Sequence, residues 1–85
     1  MMFKLEPTLA FEKSLKKMAP DERRAVASKL KILAENPFHP SLRIKKVQSL
    51  KDVFEASVNM SIRILWMYKG DKLILLVNIG HHDIL

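Results

Sequence analysis

The spacing of hydrophobic positions changes along this chain, and each change marks an element. Met2 to Leu5 alternates weakly and reads as an edge strand, which Pro7 breaks. Leu9, Phe11, Leu15 and Met18 then gather mostly on one side of a helix, with Thr8 placed to cap it. Ala19-Pro20 interrupts that helix. Pro20 suits the first turn of a second one, and Asp21 and Glu22 suit its positive end. Val26, Leu30, Leu33 and Ala34 continue at helical spacing until Asn36-Pro37 stops them, with Arg23, Arg24, Lys29 and Lys31 elsewhere on the surface. Two helices joined at a proline make a helical hairpin.

Beyond it lies a connector, Phe38 to Leu50, in which Leu42 to Val47 is partly extended. The last third is strand-rich: Val53 to Val58, Ile62 to Tyr68 and Lys72 to Ile79 hold most of the β-branched and aromatic residues. The expected fold is α+β, an N-terminal strand and a helical hairpin packed on a mostly antiparallel sheet of about four strands. Residues 1–85 form one domain, without internal repeat or linker.

Register decides which polar residues meet. A two-residue turn at Gly70-Asp71 pairs Lys69 with Lys72, Arg63 with Asn78 and Ile62 with Ile79. A core face then carries Ile62, Ile64, Trp66, Tyr68, Leu73, Leu75, Val77 and Ile79. For Phe54, Ala56 and Val58 to share that core, the preceding loop has an odd length, most simply Asn59-Met60-Ser61, and Ser57 faces Arg63. The opposite face is expected to hold Glu55, Ser57, Arg63, Asn78 and His82 at one end. Leu65, Met67, Ile74 and Leu76 lie at the other, as an apolar groove that needs a cover.

Composition narrows the chemistry. Fifteen Lys and Arg against nine acidic residues give a formal charge of +6, which suits nucleic acid or an acidic partner. The basic cluster Arg43, Lys45 and Lys46 in the connector is the expected landing surface for RNA or the ribosome. The absence of cysteine removes disulfides, thiolate-bound zinc and thiol catalysis together. His81 and His82 are adjacent, so in a strand they point apart and share an ion poorly; no metal and no cofactor are expected. No phosphate-cradling glycine loop is present. Neither a signal peptide nor a membrane-spanning run is read, and the cytoplasm is the expected location. Each site residue also has a plain reading: Arg63 as half of a solvated cross-strand pair, Glu55 as its surface counter-ion, and Ser57 as a strand-filling residue.

The order of elements resembles the RelE/ParE superfamily of toxins from toxin–antitoxin systems. "NPFHPSLRIKKVQSL" (residues 36–50) is similar to that family's link between second helix and sheet. "VFEASVNMSIRILWMY" (53–68) looks like its central hairpin, and "NIGHHDIL" (78–85) like its C-terminal strand end. The resemblance implies a ribosome-dependent messenger-RNA endonuclease in which the RNA's own 2′-hydroxyl attacks the adjacent phosphate. It implies that Arg63 stabilises phosphate charge, that His82 is the acid or base, and that Glu55 is a second proton-transfer group. Its partners would be the ribosome, messenger RNA and an acidic antitoxin covering Leu65, Met67, Ile74 and Leu76. The chain departs from RelE in having Glu55 and Ser57 where lysines stand, and no aromatic follows Tyr68. The alternatives are a non-enzymatic DNA gyrase inhibitor of the ParE branch and an inactive interaction module.

Overall fold

The computed structural model describes residues 2–82. A first strand, β1 (Lys4–Pro7), leads into two helices, α1 (Leu9–Lys16) and α2 (Pro20–Glu35). A single 3-10 turn at Pro40–Leu42 follows. The rest is sheet: β2 (Lys45–Lys46), β3 (Phe54–Ser57), β4 (Ile62–Gly70) and β5 (Leu73–His81). The five strands lie in the order β1-β5-β4-β3-β2, with β1 parallel to β5 and the others antiparallel. The fold is therefore the expected α+β arrangement, with the connector's extended piece supplying a fifth, two-residue strand.

Local chemistry sets the helix starts. The Thr8 hydroxyl accepts the Phe11 N–H at 3.1 Å, satisfying a donor that the first turn of α1 leaves open. Ala19 has no side-chain oxygen, so at α2 the stabilisation runs the other way: the Glu22 carboxylate accepts the Ala19 N–H at 2.9 Å. Phe11, Met18, Val26 and Leu33 bury against Ile62, Ile64, Trp66 and Ile79 to form the main core.

The register corrects one expectation in two steps. The β4–β5 turn sits at Asp71-Lys72, with Gly70 opposite Leu73. Lys72, at φ 59, supplies the positive φ at this turn, and Gly70 does not. The turn keeps two residues but sits one position later, and an irregularity in the ladder between Tyr68 and Gly70 lies beside it. β5 is thereby displaced by one residue, so Ile74 pairs with Tyr68 and Leu76 with Trp66. A displacement of one exchanges the faces. Ile74 and Leu76, expected in an exposed groove, are 0% and 2% exposed inside the main core.

A second irregularity, between Leu65 and Trp66, skips Val77 and moves the register again: Leu65 faces Asn78, Ile64 faces Ile79, and Arg63 faces Gly80. It falls where β1 stops pairing. Pro7 is the last β1 residue in the ladder, and the Thr8 hydroxyl takes over, bonding the carbonyls of Leu76 and Val77 at 3.0 and 2.9 Å. The Asn78 side chain then accepts from Ile79 N–H and from the Ser14 hydroxyl of α1.

The remaining groove residues also differ from expectation. Leu65 is buried under Val47 and Val53, with Met67 and Val77 partly buried against them. The cover is the chain's own β2–β3 connection, which folds back over this face of the sheet. Trp66 is fully buried, as expected. Tyr68, expected in the core, is 40% exposed at its rim, where it packs on Phe3, Phe54 and Trp66.

Candidate functional site

The β3–β4 hairpin has the expected geometry. Its loop is Asn59-Met60-Ser61, closed by the Asn59 carboxamide oxygen, which accepts the N–H groups of Ser61 and Ile62 at 2.8 and 2.9 Å. Val58 N–H donates to the Ile62 carbonyl, and Ser57 lies opposite Arg63. Arg63 opens β4 and is pinned there. Its Nη1 donates to the carbonyls of Asn59 (2.6 Å) and Ile62 (3.1 Å), and its Nε stands 3.7 Å from Glu55 Oε1. Among the described residues, Nε and Nη1 are the nitrogens with protein partners, which leaves Nη2 for a ligand. The guanidinium is thus held in place by the chain's own groups.

Beside it opens a cleft of ≈ 300 Å³. Lys29 enters from α2, Arg43 and Ser41 from the connector, Ser57 and Met60 from the hairpin, and Arg63 from β4. Arg43 ends the 3-10 turn in the left-handed conformation (φ 48, ψ 52), with its N–H on the Pro40 carbonyl. The His39 ring accepts the Ser41 N–H at 3.1 Å and fixes the start of that turn. Lys29 Nζ reaches the Ser41 carbonyl at 3.4 Å, which brings helix and connector together.

The structure divides the basic cluster of the connector. Lys45 is opposite Glu55 and so shares the Arg63 face; Lys46 is opposite Phe54 and shares the other. Arg43 lines the cleft. Lys29 belongs to the same cleft, although in the sequence it reads as one of several surface lysines on a helix; its neighbours along the chain carry no sign of the connector that meets it.

The strand places His81 but ends before His82. His81 pairs with Ile62 on the helical side, and its Nε2 lies 3.6 Å from Glu22 of α2. His82 follows, exposed, in the turn after β5. Arg63 is opposite Gly80, so His82 is two residues past Arg63's partner rather than four as expected. Gly80 itself places no side chain between them. Residues 83–85, the end of the "NIGHHDIL" stretch, lie outside the described residues. Among the described residues no group of three His, Asp or Glu side chains could hold a metal ion. No described helix is long and apolar enough to cross a membrane.

A helical hairpin on an antiparallel sheet, with the first strand parallel to the last, is the fold of the RelE/ParE toxins. The chain is similar to a chain of the archaeal RelE–RelB complex from Pyrococcus horikoshii OT3 (17% identity, all of both chains covered, TM-score 0.78). It is also similar to one of the toxin–antitoxin complex RelBE2 from Mycobacterium tuberculosis (20% identity, 96% of this chain and 100% of that one, TM-score 0.79). A third is in the E. coli DinJ–YafQ toxin–antitoxin complex (18% identity, 100% and 98% covered, TM-score 0.78). No family model matches the chain, and no curated protein matches it in sequence.

Proposed function

We propose that this protein is a toxin that cleaves messenger RNA on the ribosome, with an acidic antitoxin as its inhibitor. The observation that carries the reading is Arg63: a guanidinium fixed by two backbone carbonyls at the mouth of a basic cleft, with a carboxylate beside it. Phosphodiester cleavage by a neighbouring 2′-hydroxyl needs such a group, because negative charge accumulates on the phosphate oxygens as the new P–O bond forms and the 5′-oxygen leaves. A donor already in place stabilises that charge without reorganising. Glu55, beside Arg63, and His82, two residues past Arg63's partner Gly80, are the groups assigned to exchange protons with the 2′-hydroxyl and the leaving oxygen. Lys45, on the same face, adds to the attraction for the RNA backbone.

The antitoxin reading is supported by the toxin–antitoxin complexes that share the fold and by the formal charge of +6. An acidic partner would be steered to this surface, so its association rate falls with added salt more than its final affinity does.

The test is induction of the toxin followed by primer extension on a reporter message. Wild-type protein gives discrete, codon-phased cuts. Arg63→Ala loses them while remaining folded, a fall of a hundredfold or more for about 3 kcal/mol of lost charge stabilisation. Arg63→Lys rescues poorly, because the planar fork is gone. Intact messages accompanied by DNA damage would replace this reading with gyrase inhibition.

A further inference from the structure

Arg63 alone satisfies the need for charge at one phosphate, yet the cleft beside it holds two more cations. Lys29 and Arg43 come from separate elements, and no acidic side chain lines the cleft among the described residues. Arg43 adopts a backbone conformation that residues with a Cβ seldom take, and the 3-10 turn that holds it there sets it at the cleft. On the hairpin tip, Met60 is 89% exposed, an apolar side chain on the rim of a polar cleft. Two cations, two serines and a polarisable apolar rim within ≈ 300 Å³ fit a phosphate, a sugar and the edge of an aromatic ring.

We propose that this cleft binds the nucleotide next to the one cleaved, as single-stranded RNA. The proposal rests on the nuclease reading and extends it. Lys29 and Arg43 hold the neighbouring phosphate, Ser41 and Ser57 face its sugar, and the splayed base lies against Met60. Sequence-specific RNA recognition commonly uses unpaired bases turned out in this way. A base-paired segment keeps its bases stacked inside the helix, where Met60 has nothing to contact.

The experiment uses the full chain and uncleavable 2′-O-methyl oligonucleotides of one, two and three residues, with affinity followed by NMR titration at several salt concentrations. For wild type, affinity rises about tenfold on going from one phosphate to two. In Lys29→Gln/Arg43→Gln that step disappears, and the log–log salt slope falls by about 0.7, the value for one phosphate contact on a single strand. Met60→Ala weakens binding without changing the slope. An unchanged slope in the double variant, or equally tight binding of the same three residues held base-paired within the stem of a longer RNA hairpin, overturns the proposal. The two readings fail separately. Arg63-dependent cutting of messages with an unchanged slope leaves the nuclease without this subsite; the slope change without any cutting leaves the RNA subsite without the nuclease.

Discussion

Two adjacent leucines on β5 test the register on which the site depends. Leu76 pairs with Trp66 inside the main core and is 2% exposed, whereas Leu75 pairs with Met67 on the other face and is half-buried. Removing a fully buried leucine side chain costs about 2–5 kcal/mol, because transfer and cavity terms add. A half-buried one gives up roughly half the transfer term, about 1 kcal/mol. For a domain of 60–100 residues each kcal/mol moves the melting temperature by roughly 4–8 °C. At about 3 kcal/mol, Leu76→Ala lowers the midpoint by about 12–24 °C, and Leu75→Ala by roughly 4–8 °C. Thermal unfolding followed by far-UV circular dichroism, started well below ambient temperature, measures both. The Gly70-Asp71 turn would reverse the order, so a Leu75→Ala midpoint at or below that of Leu76→Ala refutes the observed ladder and the pairing of Arg63 with Gly80.

His82→Gln lowers single-turnover cleavage of ribosome-bound message by roughly a hundredfold or more, the usual range for a general acid or base. His81→Gln, which loses only the 3.6 Å approach to Glu22, leaves cleavage close to wild type; the opposite ranking would displace His82 from the proposed role. Tyr68 is the chain's single tyrosine, so absorbance at high pH reports it alone. Burial raises its pKa above the ordinary value, since the phenolate is the form that loses hydration. The sign follows from linkage: the folded state binds the proton more tightly, so this contribution to stability is complete below the ordinary pKa and is lost as pH rises from there through the folded value. A spectrophotometric midpoint at or below that of the unfolded chain would contradict the packing of its ring on Phe54 and Trp66.

The β3–β4 hairpin was legible because one constraint fixed it. Phe54, Ala56 and Val58 had to share a core with Ile62 and Ile64, and only an odd loop allows that, which puts Ser57 opposite Arg63. The helices were legible from spacing and from Pro20. The β4–β5 ladder was not, because two nearly equivalent apolar sets lie interleaved on β5. Leu73, Leu75 and Val77 look as fit for a core as Ile74 and Leu76, and the choice falls to the backbone of Lys72 and the demands of Thr8 on the far side of the strand. The first is not announced by the residue type at position 72, and the second is not local to β5. The cover over Leu65 was missed for a related reason: Val47 and Val53 belong to a turn-rich connector that nothing in their own spacing assigns to the sheet. Lys29 is the same case for the site, brought to Arg43 by tertiary contact alone.

The parallel pairing of β1 with β5 orders the protein's birth. β1 is made first, and the strand it needs is made last: the bond from the Thr8 hydroxyl to the Leu76 carbonyl spans 68 positions. Translation runs from the N-terminus, so β1 and the apolar side of α1 leave the ribosome with no sheet to receive them. The residues of the cleft come from α2, the connector and the β3–β4 hairpin, so all of them are made before β5. A nascent chain short of β5 carries every residue of the cleft but lacks the strand that joins β4 to β1.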